Sequence, residues 1–210
     1  MYTSFTKAST RTLMIEKAIA LFKENGTEHV SVKDICDEAG VTRNAFYYHF
    51  ESKDLLFDAI GDYVSMVSKK RIATLYGCKS YFQQFWEFYK AYLLTEIEMG
   101  SDIMNHICIS RTMKGRADYF SYIDDELSAK MIKLAELAQA EGQTTNPCPP
   151  DDLLWVSYSL IRGVNIKWCF QWGACDLITE SLTSLNTLFI PTDEFKLDPA
   201  TREKAAKGKK

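Results

Sequence analysis

Long apolar runs, proline and glycine are all scarce in this sequence. Its 210 residues include 5 prolines and 10 glycines, which leaves few points where the chain must break. No stretch approaches the roughly 18 consecutive apolar residues that a membrane-spanning helix needs, and residues 1–11 lack the apolar core of a secretory signal peptide. We therefore expect a cytoplasmic protein made largely of regular secondary structure.

The motifs that identify common enzyme classes are also missing. The chain has no P-loop, no GxSxG turn, no HExxH zinc motif and no GxGxxG dinucleotide fingerprint. His106 and Cys108 are two positions apart, so a helix places them on different faces, where they make a poor metal or nucleophile pair. The sequence predicts no enzyme activity, no metal site and no cofactor.

The cysteines do not form a recognisable metal or redox motif, because no CxxC pair is present. Apolar, helical surroundings favour buried reduced thiols for most of them. Cys169 and Cys175 are the closest pair, and redox sensing by them stays open as an alternative. The six cysteines are Cys36, Cys78, Cys108, Cys148, Cys169 and Cys175.

Excess positive charge is absent as well. The formal net charge is −3, and residues 1–55 hold seven Lys or Arg against eight Asp or Glu. A protein that coats nucleic acid by bulk electrostatics is therefore excluded. Any contact with nucleic acid must depend on the positions of individual basic and polar groups.

Apolar residues recur at helical spacing between the few breaks, and the alternation typical of strands is absent. The chain is therefore predicted to be all-α, with about nine helices. The helices are expected over residues 10–25, 32–39, 43–49, 53–76, 79–99, 101–114, 116–141, 151–172 and 176–190.

Residues 31–53 have the layout of a helix-turn-helix. Two short helical segments, SVKDICDEAG and VTRNAFYYHF, flank a turn at Gly40. In this motif the first helix braces the second, which lies in the major groove of DNA. Phe46 and Phe50 are expected in the core. Groups suited to base edges or phosphates are predicted at Thr42, Arg43, Asn44, Tyr47, Tyr48, His49 and Lys53.

Residues 10–60 resemble the N-terminal domain of TetR-family regulators. The matching features are AIALF before a glycine, SxxDI, AGVTR, FYYHF and SKDLL. The resemblance implies a homodimeric repressor of a palindromic operator, with a further DNA contact at Ser31. The sequence departs from the family in having only Lys7 and Arg11 as basic residues near its start. A protein–protein adaptor, with Tyr47, Tyr48 and Lys53 turned inward, is the alternative.

The predicted organisation is a three-helix DNA-binding domain over 1–55, a larger helical domain over 56–190 and a disordered tail over 191–210. Apolar residues occupy nearly every face of the predicted helix over residues 151–172, so this helix must be buried on every side. A partner subunit would supply this burial. The resemblance implies dimerisation through the helices near 151–172 and 176–190. The alternative is a helix that is central in its own domain.

Aromatic and methionine residues concentrate in the fifth to eighth predicted helices, around a few isolated polar side chains. This pattern favours a cavity for a small, mostly apolar or aromatic ligand, although each residue could equally be core packing. The resemblance implies that such a ligand releases the DNA. The ligand-binding residues are predicted to be Trp86, Tyr89, His106, Tyr122, Tyr158 and Arg162.

Overall fold

The computed structural model describes residues 7–72, 80–113 and 125–198. Within these ranges the chain forms nine α-helices, a 3-10 turn at Thr27–His29 and an isolated bridge between Thr144 and Pro191, with no other strand pairing. The helices are α1 (Lys7–Asn25), α2 (Val32–Ala39), α3 (Arg43–His49), α4 (Lys53–Ile72), α5 (Tyr81–Met99), α6 (Ser101–Met113), α7 (Asp125–Ala140), α8 (Pro150–Phe170) and α9 (Leu177–Phe189).

This architecture confirms the predicted all-α fold and its order of helices. The first helix begins three residues earlier than expected, at Lys7. The eighth begins at Pro150, because proline suits the first helical position and the Pro149 carbonyl accepts the Leu153 N–H at 3.0 Å. The breaks predicted at Gly77 and Gly115 lie outside the described residues. Across the described ranges, no helix is both long and apolar enough to cross a bilayer.

Local capping explains why the short helices α2 and α3 begin where they do. Ser31 and Asp34 form a capping box, in which each side chain bonds the other residue's backbone N–H at 3.3 and 2.8 Å. The Thr42 hydroxyl accepts the Ala45 N–H at 3.2 Å and caps α3. Gly40 ends α2 with a φ of +64°, a conformation that glycine adopts without steric cost.

The first three helices form a small unit, which we call the head. Its centre holds Met14, Phe22, Ile35, Phe46 and Phe50, all at most 2% exposed. The predicted core positions of Phe46 and Phe50 are therefore confirmed. α4 packs against the head, and its buried side chains belong to the same apolar cluster.

Helices α5 to α9 form the larger part of the chain, which we call the body. α5 packs against α4, α7 and α9, while α8 packs against α6, α7 and α9. Phe82, Phe85 and Phe189 meet with ring centroids 4.7–5.3 Å apart and hold α5 to the end of α9. The buried residues of the head, of α4 and of the body form one continuous apolar cluster.

The segment after α9 folds back onto the body as far as it is described. The Thr192 N–H donates to the Gln143 carbonyl at 3.1 Å, and the Asn186 amide donates to the Leu197 carbonyl at 2.9 Å. Residues 191–198 are the start of the segment predicted as a disordered tail. The remainder of that segment, 199–210, lies outside the described residues.

Two polar contacts join the head directly to α6. The Asp102 carboxylate accepts the Thr27 N–H and the Thr27 hydroxyl, both at 2.8 Å. His106 lies one turn further along α6, where its ring stacks on Phe57 with centroids 4.8 Å apart and its Nε2 atom is 3.3 Å from Glu28. The turn after α1 is thus fixed to the body.

A further group of polar contacts joins α4 to α6 along their lengths. The Ser110 hydroxyl donates to the Asp58 carboxylate at 2.9 Å. The buried Arg111 guanidinium donates to Asp62 at 2.8 Å and to the Asp58 carbonyl at 3.3 Å. Gly61 makes this approach possible, because a Cβ atom there would lie 2.5 Å from Arg111 Nη2. We call these four α4 and α6 side chains, with Gly61, the α4–α6 clamp.

We predict that Gly61→Ala destabilises the protein by about 1–3 kcal/mol, because the new methyl group displaces Arg111 from its hydrogen bonds. Alanine would otherwise stabilise a helix interior by about 1 kcal/mol relative to glycine. The sign should therefore reverse in an Arg111→Ala background, where the methyl group meets no guanidinium. Urea unfolding of the four proteins measures both effects. Stabilisation by Gly61→Ala in the otherwise unchanged chain would contradict the close packing at Gly61.

Candidate functional site

The outer surface of α3 carries most of the residues predicted to contact DNA. Arg43, Asn44, Tyr47 and Tyr48 are exposed, the two tyrosines by 52% and 67%. Arg43 and Tyr47 are four positions apart, as are Asn44 and Tyr48, so the two pairs lie side by side on one broad outer face of the helix. Because Phe46 lies buried beneath them, this face can meet a partner without disturbing the core. We call these four residues the α3 face.

Ser31 and Thr42 stand beside the α3 face but also have structural roles. Both are exposed, and both cap the helix that follows them. The Ser31 hydroxyl donates to Asp34 at 2.7 Å, and this bond lowers the pKa of the Asp34 carboxyl. Their positions at helix N-termini leave backbone N–H groups directed outward, which favours an anion nearby.

His49 and Lys53 are placed differently from the α3 face. His49 is half-buried, with its ring edge-on to Tyr48 at 5.2 Å. The Lys53 ammonium donates to the Thr27 carbonyl at 2.6 Å and lies 5.5 Å from the centre of the Phe22 ring. Lys53 therefore links α4 to the turn after α1, a role that the sequence did not indicate.

A narrow cavity lies in the body between α5, α7 and α8. It contains about 30 Å³ of space that a water molecule can reach, within about 450 Å³ of unfilled volume that includes its mouth. Three of the six residues predicted to bind a ligand meet there: Tyr89, Tyr158 and Arg162. The described lining residues are Phe88, Tyr89, Tyr92, Leu93, Glu96, Leu127, Met131, Tyr158, Ile161, Arg162 and Asn165.

The other three predicted ligand residues do not line this cavity in the described part of the chain. Trp86 is buried, at 3% exposure, but is not among the lining residues. His106 lies at the junction with the head, between Phe57 and Glu28. Tyr122 falls outside the described residues.

One end of the cavity holds a buried polar cluster. Glu96 accepts a hydrogen bond from the Asn165 amide at 2.8 Å, and its other oxygen lies 3.4 Å from Arg162 Nη1. Arg162 Nε lies 3.5 Å from the Tyr158 hydroxyl. Glu96, Arg162 and Asn165 are each at most 5% exposed. Burial raises the pKa of Glu96, and the nearby guanidinium opposes that shift.

Glu96 was missed among the sequence-based candidates, although its spacing carries a signal. It follows Tyr89 by seven positions and Tyr92 by four, so all three lie along one stripe of α5. An acid within an aromatic stripe must be buried with a partner or excluded from the core. That partner lies 66 residues away in Arg162, and the sequence alone does not identify it.

The outer face of α8 carries exposed apolar side chains. Trp155 is 54% exposed, Val156 46%, Leu160 38% and Phe170 58%. They recur at intervals that follow one side of the helix, while the opposite side packs into the body. A single chain leaves this face unpartnered within its described residues, and patches of this kind commonly mark association surfaces.

The described cysteines are free thiols. Cys36, Cys108 and Cys169 are buried, Cys148 is exposed, and Cys175 is half-buried. Burial raises the pKa of the Cys169 thiol, and it also raises the pKa of Cys175. Such shifts lower the thiolate fraction at neutral pH, which makes these two thiols less reactive. Cys78 lies outside the described residues.

The chain thus combines an exposed helix-turn-helix with a larger helical body. Residues 14–60 match the family model described as bacterial regulatory proteins, tetR family. The transcriptional regulator AcrR of Shigella flexneri is 41% identical over 51 residues, and the repressor KstR2 of Rhodococcus jostii is 39% identical over 54 residues. These stretches cover 24% and 26% of this chain and the same shares of the two relatives.

Solved structures extend the likeness of fold to nearly the whole chain. A TetR-family transcriptional regulator from Pectobacterium atrosepticum has 19% identity and a TM-score of 0.59, with 94% of this chain and 100% of that chain covered. Regulatory protein TetR from Rhodobacter sphaeroides has 18% identity and a TM-score of 0.57, over 86% and 96% of the two chains. Residues 14–60 are therefore similar in sequence to the tetR family of bacterial regulatory proteins, and the chain as a whole shares the fold of these solved structures.

We predict that Lys53→Ala lowers the free energy of unfolding by about 1–2 kcal/mol, because it removes the bond to Thr27 and the contact with Phe22. Arg43→Ala is the matched control, since Arg43 also occupies the first position of its helix but is exposed. Its effect should stay within about 0.5 kcal/mol. Equal stabilities of the two variants in urea unfolding would contradict the structural role of Lys53.

Proposed function

We propose that this protein is a transcriptional repressor that binds a palindromic operator as a homodimer and releases it on binding a small, mostly apolar or aromatic ligand. The observation that carries the proposal is the α3 face, four exposed polar and aromatic residues on the second helix of a helix-turn-helix. Operator binding implies a cytoplasmic location. The matched relatives include proteins named as transcriptional repressors, which supports the same activity here.

The residues of the α3 face are proposed to contact either base edges or phosphates of DNA. Arg43 donates two hydrogen bonds to a guanine edge, and Asn44 pairs with adenine or a phosphate. Tyr47 and Tyr48 donate to phosphates on either side of the groove. Thr42, Ser31 and His49 are proposed as further phosphate contacts. Lys53 fixes the turn after α1 through Thr27, and its ammonium, which has three donors, is also proposed to contact a phosphate.

A homodimer through α8 and α9 would bury the exposed apolar face of α8. Pairing with a second copy of the same face forms a closed two-fold assembly, the commonest arrangement among homo-oligomers. Two heads about 34–36 Å apart then meet successive major grooves on one side of the duplex. Joint binding raises the affinity over that of one head through the effective concentration of the second.

Ligand release of the operator is proposed to pass from the cavity to the head through helix packing. α5 and α8 line the cavity, and both also pack against α6. α6 holds the head through Asp102 and through the α4–α6 clamp. A ligand releases the operator only if it binds more tightly to the arrangement that separates the heads from the two grooves.

We predict that selection from random duplexes enriches a near-palindromic site bound by the unaltered protein. Arg43→Ala should weaken binding to this site by about tenfold or more and relax the preference at one base pair of each half-site, as expected for a lost bidentate contact. Tyr48→Phe should weaken binding without changing the preferred sequence, because it removes a phosphate contact.

Lys130→Ala is the matched control for that experiment, because it removes one positive charge from α7 in the body. It should bind the selected site as the unaltered protein does. Failure to enrich any sequence across a range of salt concentrations, with no effect of the α3 substitutions, would overturn the DNA-binding proposal.

We predict that Leu160→Glu raises the dimer dissociation constant by at least about 100-fold, because it places an unpaired charge in the centre of the proposed interface. Ile97→Glu is the matched control, since Ile97 is 39% exposed on α5 and Leu160 is 38% exposed on α8. Sedimentation equilibrium measures both variants. A dimer insensitive to Leu160→Glu, or weakened equally by both changes, would contradict dimerisation through α8.

A further inference from the structure

We propose that two copies of this chain pair through antiparallel α8 helices, with the two-fold axis beside Ser159 and each Trp155 packed against the partner's Gly163. The inference rests on the proposed homodimer and specifies how its two subunits meet. Three features of the outer face of α8 support it: a small residue at its middle, a bulky residue two turns earlier, and opposite charges at its two ends.

Five exposed residues form a single row along the outer face of α8. Each follows the one before it by four positions, so all of them lie along one side of the helix. The exposed apolar residues Val156 and Leu160 flank this row. The five residues of the row, which we call the α8 row, are Asp151, Trp155, Ser159, Gly163 and Lys167.

The middle of the α8 row is small and leaves room for a second helix. A Cβ atom at Gly163 would meet no described atom within 4 Å, so the packing of one chain does not require glycine there. Glycine weakens the interior of a helix, but it lets a neighbouring helix approach closely. The Ser159 hydroxyl donates to the Trp155 carbonyl at 3.0 Å, so a partner can cover it without breaking that bond.

Trp155 is the bulky counterpart of Gly163 in the α8 row. Its side chain is 54% exposed. Trp155 lies four positions before Ser159, and Gly163 lies four positions after it. A two-fold axis beside Ser159 places each position of an antiparallel helix opposite the position equally far on the other side of Ser159 in its partner. Each Trp155 then packs against the partner's Gly163, and this contact occurs twice in the dimer.

The charges at the ends of the α8 row fit the same arrangement. Asp151 lies eight positions before Ser159, and Lys167 lies eight positions after it. The Lys167 ammonium donates to the two Glu180 oxygens at 2.8 and 2.9 Å, and its third donor can reach the partner's Asp151. A parallel pairing would instead bring Asp151 and Asp152 of both copies together, where like charges repel.

Two substitutions test the contact between Trp155 and the partner's Gly163. Gly163→Trp places a second indole where Trp155 packs, so it should weaken dimerisation by at least about 100-fold through overpacking at two equivalent contacts. Trp155→Ala leaves both contacts unfilled and should weaken dimerisation by at least about tenfold. Sedimentation equilibrium of the full-length protein measures both dissociation constants, and circular dichroism verifies that each variant is folded.

The double variant with Trp155→Ala and Gly163→Trp tests the direction of the pairing. In the antiparallel arrangement, each indole introduced at position 163 faces the shortened side chain at position 155 of the partner. The dissociation constant should therefore return to within about tenfold of that of the unaltered protein. In a parallel dimer, the two introduced indoles would face each other, and dimerisation would stay as weak as in the Gly163→Trp variant.

Trp155→Ala combined with Ser159→Trp is the matched control, because it introduces the same side chain one turn earlier in the α8 row. Position 159 faces its own copy across the axis, so this control should not recover dimerisation. A folded double variant at positions 155 and 163 that dimerises no better than Gly163→Trp alone would overturn the proposal. So would equal recovery by the control.

The outcome can be separated from that of the proposed function. If Leu160→Glu dissociates the dimer but the double variant at positions 155 and 163 shows no recovery, this pairing fails and dimerisation through α8 stands. If the unaltered chain is monomeric, the proposed homodimer fails and this pairing fails with it. If the double variant recovers but no operator is selected, the pairing stands and the repressor proposal fails.

Discussion

The attachment of the head to α6 is the constraint on which the functional account depends. α6 contacts the head through Asp102 and Thr27, and it contacts α4 through Arg111, Asp62 and the backbone at Asp58. Because these bonds are buried or partly buried, the head cannot rotate freely on the body. The position of the α3 face is therefore tied to the packing of α6. A recognition helix on a flexible joint would gain little from a second head, since the spacing between two heads would vary.

The same helix also packs against two of the helices that line the cavity. α5 and α8 enclose the polar cluster of Glu96 and Arg162, and both helices pack against α6. A buried ion pair is seldom retained for stability alone, because its desolvation cost offsets much of its attraction. Both α4 and α6 pack against α5, so helix contacts run from this cluster to the head.

Sequence reasoning succeeded where structure is determined locally. Ser31 and Asp34, Thr42 and Gly40 fix the short helices through neighbours in the chain, so their bounds could be predicted. The exposed α3 face followed from the same local pattern. The contacts of Lys53 with Thr27 and of His106 with Phe57 were not predicted, because these partners are distant in sequence. Glu96 was missed for the same reason, since its counterion lies on α8.

The most direct test of the central claim varies the spacing between the two half-sites of the selected operator. Fluorescence anisotropy would compare the natural spacing with one enlarged by five base pairs, which turns the second half-site to the opposite side of the duplex. Two rigidly held heads predict a loss of affinity of at least about 100-fold. Equal affinity for both spacings, or for an isolated half-site, would contradict a dimer whose heads are held at a fixed distance.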